Sequence, residues 1–231
     1  MRELRHSIYT YLNSPLVVPL PGQQKMSVML LLQLLAICLI AGFAGGSFSG
    51  ILIKSHLIPS PGPSVLDRKN LSPFEFFMGA VIIAPLMEEL IFRAQLRRFS
   101  ASLLFIAFVC GLILSGIVHS AWGFLISPIV FGLIFLIYRF TLAGSVSRKF
   151  SFWRKLFPWH FHFTALCVAL VHLANFEKGI SLLPLGILYT LPQLFIGLVL
   201  GYTRMNYGLR YAVLLHSLYN LSFALLLFSK L

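Results

Sequence analysis

The sequence predicts an all-α protein, a bundle of about seven membrane-spanning helices that forms one integral membrane domain over residues 1–231. Of these residues, 58% are hydrophobic and only 10% are charged, whereas charged residues make up about a quarter of an ordinary soluble domain. The mean hydropathy is +0.90. Because one span takes about 20 mostly apolar residues, the apolar runs leave room for about seven spans and for no separate soluble domain.

The apolar runs place the spans in chain order. The first run begins near Met26, too far from Met1 for an ordinary signal peptide, so we expect the N-terminus to be retained. Two connections are longer than the others: the Pro-rich stretch 58–64 and the basic segment 141–159. The predicted spans cover residues 27–53, 73–95, 101–119, 122–140, 160–176, 180–203 and 209–229.

Small residues and cysteines inside the spans indicate packing. In the first span Gly42, Gly46 and Gly50 recur every four residues, which places them on one helix face for close contact with another helix. Gly197 and Gly201 do the same in the sixth span. The three cysteines lie singly in apolar runs without CxxC or Cys/His spacing, so neither a disulfide framework nor a thiolate zinc site is expected.

The basic residues stand at the ends of the apolar runs, and the formal net charge is +12. At such positions they interact with anionic lipid and the insertion machinery, so the expected partner is the lipid bilayer, and no nucleic acid. With a cytoplasmic N-terminus, twelve of the 18 lysines and arginines lie on the cytoplasmic side and five on the other, with Arg93 inside a span. The positive-inside rule therefore predicts a multi-pass protein with its N-terminus in the cytoplasm, which we expect in a bacterial inner membrane.

Glu88 and Glu89 are adjacent inside the second span, in a chain with only six acidic residues. An ionised side chain at mid-bilayer costs about 3 kcal/mol, so both carboxylates must face a polar interior and be paired or protonated. Arg93 follows Glu89 by one helical turn, close enough for an ion pair. The paired glutamate then stays ionised, and the other is available as a general base. The alternative is a Glu–Arg clasp that only locks the helix in the bundle.

Two histidines and an asparagine lie in other spans. His172 stands near the end of the fifth span, and His216 and Asn220 share one face of the last. A lone histidine in a membrane helix is often just an interhelical hydrogen-bond partner. Together with two glutamates, however, these groups exceed what packing requires, and their types suit holding a water molecule for attack and donating hydrogen bonds to an oxyanion.

These residues carry a resemblance to a known family. Glu88-Glu89-Leu-Ile-Phe-Arg93 matches the EExxxR signature of the CPBP intramembrane proteases, named for CAAX prenyl proteases and bacteriocin-processing proteins and also called the Abi family. The segment from Val168 to His172 resembles the second motif, FxxxH, with valine in place of phenylalanine. Phe195 to Tyr202 resembles the glycine-containing third motif, and His216 to Asn220 the closing HxxxN. The resemblance runs from about residue 86 to residue 221.

The resemblance implies a glutamate-dependent endopeptidase that needs no metal ion and no other cofactor. Glu88 with His172 would activate water, His216 with Asn220 would stabilise the oxyanion, and Glu89 with Arg93 would position the site. The expected substrate is a membrane-anchored or amphipathic peptide. Two alternatives stay open: a metalloprotease that uses the same residues, and a non-catalytic membrane immunity or scaffold protein.

Three other histidines have competing interpretations. His119 lies closer in sequence to the glutamates than His172 does, so it is an alternative for the second motif. His160 and His162 are expected in an interfacial aromatic belt with nearby tryptophans. The predicted topology also leaves His172 at a different depth from Glu88, unless the fifth helix begins deeper or within the basic segment.

Overall fold

The computed structural model describes residues 2–17, 25–64, 72–118, 123–142 and 144–228. These parts of the chain are helical, joined by turns and short connections, so the predicted all-α class is confirmed. The helices, in chain order, are α1 (Arg2–Asn13), α2 (Val28–Lys54), α3 (73–97), α4 (Phe99–Val118), α5 (Gly123–Ile137), α6 (Val146–Val171), α7 (Ile180–Tyr189), α8 (Leu191–Asn206) and α9 (Leu209–Phe228).

Length and hydropathy identify fewer candidate membrane spans than the sequence predicts. Among the described residues, three helical stretches are long and apolar enough to cross a bilayer: Val28–Lys54, Val146–Asn175 and Leu209–Leu226. A fourth is obtained if α7 and α8, which are bent by 65° at their junction, count as one span. Helices α4 and α5 contain shorter apolar stretches. The structure thus supports an integral membrane protein with three to four spans, and seven spans stay a prediction.

Helix α1 is absent from the sequence prediction, because twelve residues of mixed polarity do not form a span-length apolar run. It is amphipathic: Leu4 and Ile8 are buried in a cluster with residues of α2, α8 and α9. The Ser7 hydroxyl lies 2.9 Å from the Tyr202 hydroxyl of α8. This short helix is therefore fixed to the bundle along one face.

Helix α6 corrects the predicted start of the fifth span. The basic segment 141–159 is predicted as a connection, yet α6 begins at Val146, where the Ser145 hydroxyl caps the first turn by accepting a hydrogen bond from the Arg148 backbone N–H. The helix buries Trp153 and Phe157, while its basic residues Arg154 and Lys155 are exposed. The segment is thus an amphipathic helix, and the prediction of a connection, which rested on its charged residues, is wrong. The sequence places His172 and Glu88 at one depth if the helix of the fifth predicted span begins within the basic segment, and α6 begins there.

Helix α3 is regular only in part. Its first turn is closed by a capping box between Ser72 and Glu75. Two π-helical turns follow, Phe77–Ile83 and Glu89–Arg93, and the helix ends in a 3₁₀ turn. Pro85, which has no N–H to donate, lies just after the first of these turns. Such wide turns occur often at functional sites, and here the second one begins at the glutamate pair.

Helix α8 lies at the centre, in contact with α2, α6 and α9. Close packing of its glycines is confirmed: a Cβ on Gly197 would lie 3.2 Å from Val168 Cγ1, and one on Gly201 would lie 2.7 Å from the Phe161 ring. In α2 the prediction is confirmed for one of the three glycines. Gly42 packs against Tyr219, whereas Gly46 and Gly50 face open space.

Candidate active site

Helices α3, α6, α8 and α9 surround a cavity of about 390 Å³. Of the predicted site residues, those that line it are Glu88, Arg93, His172, His216 and Asn220. Glu89 is fully buried behind the wall, at 0% exposure. Three separate helices thus bring the predicted residues to one place, although they are up to 132 positions apart in the chain, from Glu88 to Asn220.

Glu88 is the carboxylate that faces the cavity. Its Oε2 lies 3.8 Å from Nε2 of His172 and 4.0 Å from Nε2 of His216. The Glu88 side chain is 24% exposed, and its Oε2 accepts no hydrogen bond from the residues that the structure describes. Both imidazole nitrogens are too distant for a direct hydrogen bond. Oε2 of Glu88 therefore lies between two imidazoles without a hydrogen bond from the described residues.

Glu89 is held from two sides. The Arg93 guanidinium lies 3.1 Å from Glu89 Oε1, which confirms the predicted pair one helical turn apart. His216 Nδ1 lies 3.0 Å from the same oxygen, in hydrogen-bond geometry. Arg93 is only 2% exposed. An ion pair with so little solvent around it is weakly screened. Glu89 and Arg93 therefore form a buried ion pair that supports the wall of the cavity.

His172 begins the 3₁₀ turn His172–Asn175 directly after α6. Its Nδ1 lies 2.8 Å from the Val168 carbonyl oxygen, so Nδ1 is the donor and the ring orientation is set by the preceding helical turn. The other ring nitrogen, Nε2, is thereby turned toward Glu88. The pairing of Glu88 with His172 is thus geometrically accessible.

Asn220 spans the gap between α9 and the first π-helical turn of α3. Its Nδ2 donates a hydrogen bond of 2.8 Å to the Ala80 carbonyl. The carboxamide also lines the cavity, one helical turn from His216. Its position is therefore fixed by α3, and it lines the same cavity as Glu88.

A buried polar network below Arg93 escaped the sequence analysis. Gln95 Oε1 accepts from the Ser102 hydroxyl at 2.8 Å and lies 2.7 Å from His160 Nε2, while Gln95 Nε2 donates to the Phe92 carbonyl at 2.9 Å. The prediction of an interfacial His160 is wrong: the side chain is 2% exposed. A signal was available, since Gln95 is a polar residue two positions after Arg93 in a predicted span.

Arg204, on the last turns of α8, is a second missed residue. Its Nε donates to the Arg93 carbonyl at 3.1 Å and its Nη2 to the Ala94 carbonyl at 3.4 Å. Carbonyls at a helix end are poorly satisfied within the helix, and a cation is favoured there. Arg204 thus fixes the backbone of the residue that holds Glu89.

His119, the other candidate for the second motif, lies outside the residues that the structure describes. Within the described ranges, no group of three or more histidines, cysteines, aspartates or glutamates is arranged to hold a metal ion.

Fold and site together define a helical membrane protein with a carboxylate and two imidazoles in a cavity between its helices. Residues 136–222 match the family model described as "Rce1-like: Type II CAAX prenyl endopeptidase Rce1-like". Over this segment the match supports the expected resemblance to the CAAX proteases. The matched segment contains His172, His216 and Asn220, whereas the Glu88-Glu89 pair precedes it. No curated protein and no solved structure matches the chain.

Proposed function

We propose that the chain is an intramembrane endopeptidase that hydrolyses a peptide bond with water activated by Glu88. One observation carries the proposal: Glu88 Oε2, which accepts no hydrogen bond from the described residues, lies within 4.0 Å of Nε2 of both His172 and His216. In the proposed mechanism a water molecule enters between these three atoms and hydrogen-bonds to them. The family match supports peptide hydrolysis as the reaction.

The reaction begins when the water oxygen attacks the carbonyl carbon of the scissile bond. One water proton passes to the Glu88 carboxylate, and His172 Nε2 orients the water through a hydrogen bond. A tetrahedral intermediate with a negatively charged oxygen forms. Its collapse breaks the carbon–nitrogen bond, and the proton held by Glu88 passes to the leaving amine. The products are a carboxylic acid and an amine, and the acid then releases its proton to the amine or to solvent.

The remaining residues stabilise and position this chemistry. Asn220 would donate a hydrogen bond to the developing oxyanion, and so would His216 Nε2 in the doubly protonated form of the ring, because Nδ1 of His216 already donates to Glu89. The hydrogen bond from His216 Nδ1 to Glu89 directs His216 Nε2 toward Glu88. Glu89 and Arg93 thus act through His216 rather than on the substrate.

The substrate is a membrane-anchored or amphipathic peptide. Most of the cavity wall is apolar, with Phe76, Ile196 and Leu200 among its members, which suits a ligand delivered from the bilayer. The family description favours a peptide with a prenylated cysteine near its C-terminus. Seven spans, a cytoplasmic N-terminus and a bacterial inner membrane complete the proposal.

Cleavage of a defined peptide tests the proposal. The full chain, purified and reconstituted in lipid vesicles, is incubated with a peptide ending in an S-farnesylated CAAX sequence, and products are identified by mass spectrometry. We expect cleavage by the wild type and none by Glu88→Gln. Equal cleavage by both proteins would show that Glu88 is not the base.

A further inference from the structure

Gln193 stands on the wall of the same cavity as Glu88 and His172. It belongs to the first turn of α8, beside Pro192. Its carboxamide oxygen is buried and accepts no hydrogen bond from any residue that the structure describes. A buried carbonyl oxygen left without a donor is unfavourable, so native proteins rarely keep one without a partner in the working state.

The first turn of α8 is held rigidly, which fixes where the Gln193 side chain starts. Gly45 of α2 packs so closely on this turn that a Cβ there would lie 2.9 Å from the Pro192 backbone nitrogen. Thr190, fully buried at the α7–α8 bend, donates from its hydroxyl to the Gly186 carbonyl at 3.0 Å. The carboxamide is therefore carried on a well-packed scaffold, as a recognition group requires.

Two other carboxamides of this region, those of Asn220 and Gln95, differ from Gln193 in their bonding. Asn220 donates to the Ala80 carbonyl, and Gln95 is bonded at both its oxygen and its nitrogen. A polar residue that only joins helices would make such a bond. Gln193 is thus explained better as a group kept for a ligand than as part of the packing.

We propose that the Gln193 carboxamide binds the backbone of the peptide substrate, accepting a hydrogen bond from a main-chain N–H next to the scissile bond. This role rests on the proposed peptidase function. An extended peptide carries N–H donors at regular spacing and must satisfy them when it leaves water. Glu88 faces the scissile carbonyl on one side of the cavity, and Gln193 supplies an acceptor in walls that are otherwise largely apolar.

Substitution by leucine removes the acceptor while keeping the side-chain size. The assay uses vesicles and the farnesylated CAAX peptide. We expect Gln193→Leu to raise KM about tenfold and to change kcat less than about threefold. The reason is that the lost hydrogen bond would stabilise the bound substrate and the transition state equally. Gln33→Leu is the matched control, because Gln33 lies on α2 outside the cavity lining. It should leave both constants unchanged. If Gln193→Leu does not fold, Gln193→Met replaces it in the same measurement, because methionine also lacks the carboxamide.

Peptides with a single N-methylated amide identify the partner of Gln193. At one position next to the scissile bond, N-methylation should raise KM about tenfold in the wild type and should add no further loss in Gln193→Leu. Independent losses at every position would overturn the proposal. So would an unchanged KM in Gln193→Leu, or a loss confined to kcat.

Binding separates a failure of this inference from a failure of the peptidase proposal. The same peptides, fluorescently labelled, are titrated against wild type and Gln193→Leu in vesicles. If the wild type binds without cleaving, the peptidase proposal fails, and weaker binding by Gln193→Leu still supports the role of Gln193. If the wild type cleaves and both proteins bind equally, only the role of Gln193 is wrong. A wild type that neither cleaves nor binds overturns both.

Discussion

His216 Nδ1 lies 3.0 Å from Oε1 of Glu89, a residue 127 positions earlier in the chain. The sequence pairs Glu89 with Arg93 and His216 with Asn220, and gives no reason to join the two pairs. In the structure a single carboxylate oxygen contacts both the arginine and the imidazole. The supporting pair and the cavity histidine therefore form one unit, and this unit determines what each substitution should do.

Glu88→Gln should lower the cleavage rate about 10³-fold, because a general base contributes about 10² to 10⁴-fold. Its effect on stability should be small, since Glu88 is 24% exposed and its Oε2 makes no hydrogen bond with the described residues. Rate assays and thermal unfolding in detergent check the two parts. Glu3→Gln, at an exposed position of α1, is the control and should behave like the wild type.

Glu89→Gln should instead destabilise the protein by about 3 kcal/mol, because truncating one partner of a buried ion pair leaves the other charge uncompensated. Arg93, 2% exposed, would lose its carboxylate partner. The apparent melting temperature in detergent should fall well below those of the wild type and Glu88→Gln. If Glu89→Gln and Glu88→Gln melted at the same temperature, the buried pair would not support the site.

His172→Gln should retain about ten times more activity than His172→Asn, although both should be slower than the wild type. A glutamine amide reaches the place of Nε2, which faces Glu88, whereas an asparagine amide replaces only Nδ1, which donates to the Val168 carbonyl. Steady-state rates on one peptide decide the order. His162→Gln, at an exposed position, is the control, and the reverse order of the two His172 variants would contradict the assignment of Nε2.

Gly197→Ala should lower both activity and stability. The added methyl group would lie 3.3 Å from Arg93 Nη2 and 3.2 Å from Val168 Cγ1, so either the arginine or α6 must shift. Overpacking of this kind costs about 1 to 3 kcal/mol. Gly46→Ala is the matched control, because no atom of the described residues, apart from its own stretch of helix, lies within 4 Å of its Cβ position. If Gly197→Ala and Gly46→Ala had the same melting curves and rates, the close contact of Gly197 with Arg93 and Val168 would be contradicted.

His160→Phe should destabilise the protein by about 1 to 3 kcal/mol, because it removes a bond to a buried carboxamide and leaves part of the network unsatisfied. His160 Nε2 lies 2.7 Å from Gln95 Oε1, and both side chains are buried. The melting temperature measures the loss. His6→Phe, at an exposed position of α1, should have a much smaller effect, and an equally small effect of His160→Phe would mean that the network does not stabilise the end of α3.

Much of the fold follows from the sequence, and the exceptions have physical reasons. Long apolar runs fix α2 and α9 closely, because hydropathy reports directly on transfer into lipid. It reports poorly on α6, where exposed charges and buried aromatic residues alternate on opposite faces of one helix. It also misses α1, whose short apolar face is buried only against other helices of the bundle.

The sequence by itself determined the membrane class, the all-α fold and the polar residues of the candidate site. Burying a carboxylate, a guanidinium or an imidazole among apolar residues is costly in any fold, so such residues stand out before their partners are known. The resemblance already implied Glu88 with His172, which the structure places 3.8 Å apart. Only the tertiary structure decided the other partners: Glu89 with His216, and Gln95 with His160. Contacts between distant segments depend on where helices start, bend and pack, which no local pattern of residues encodes.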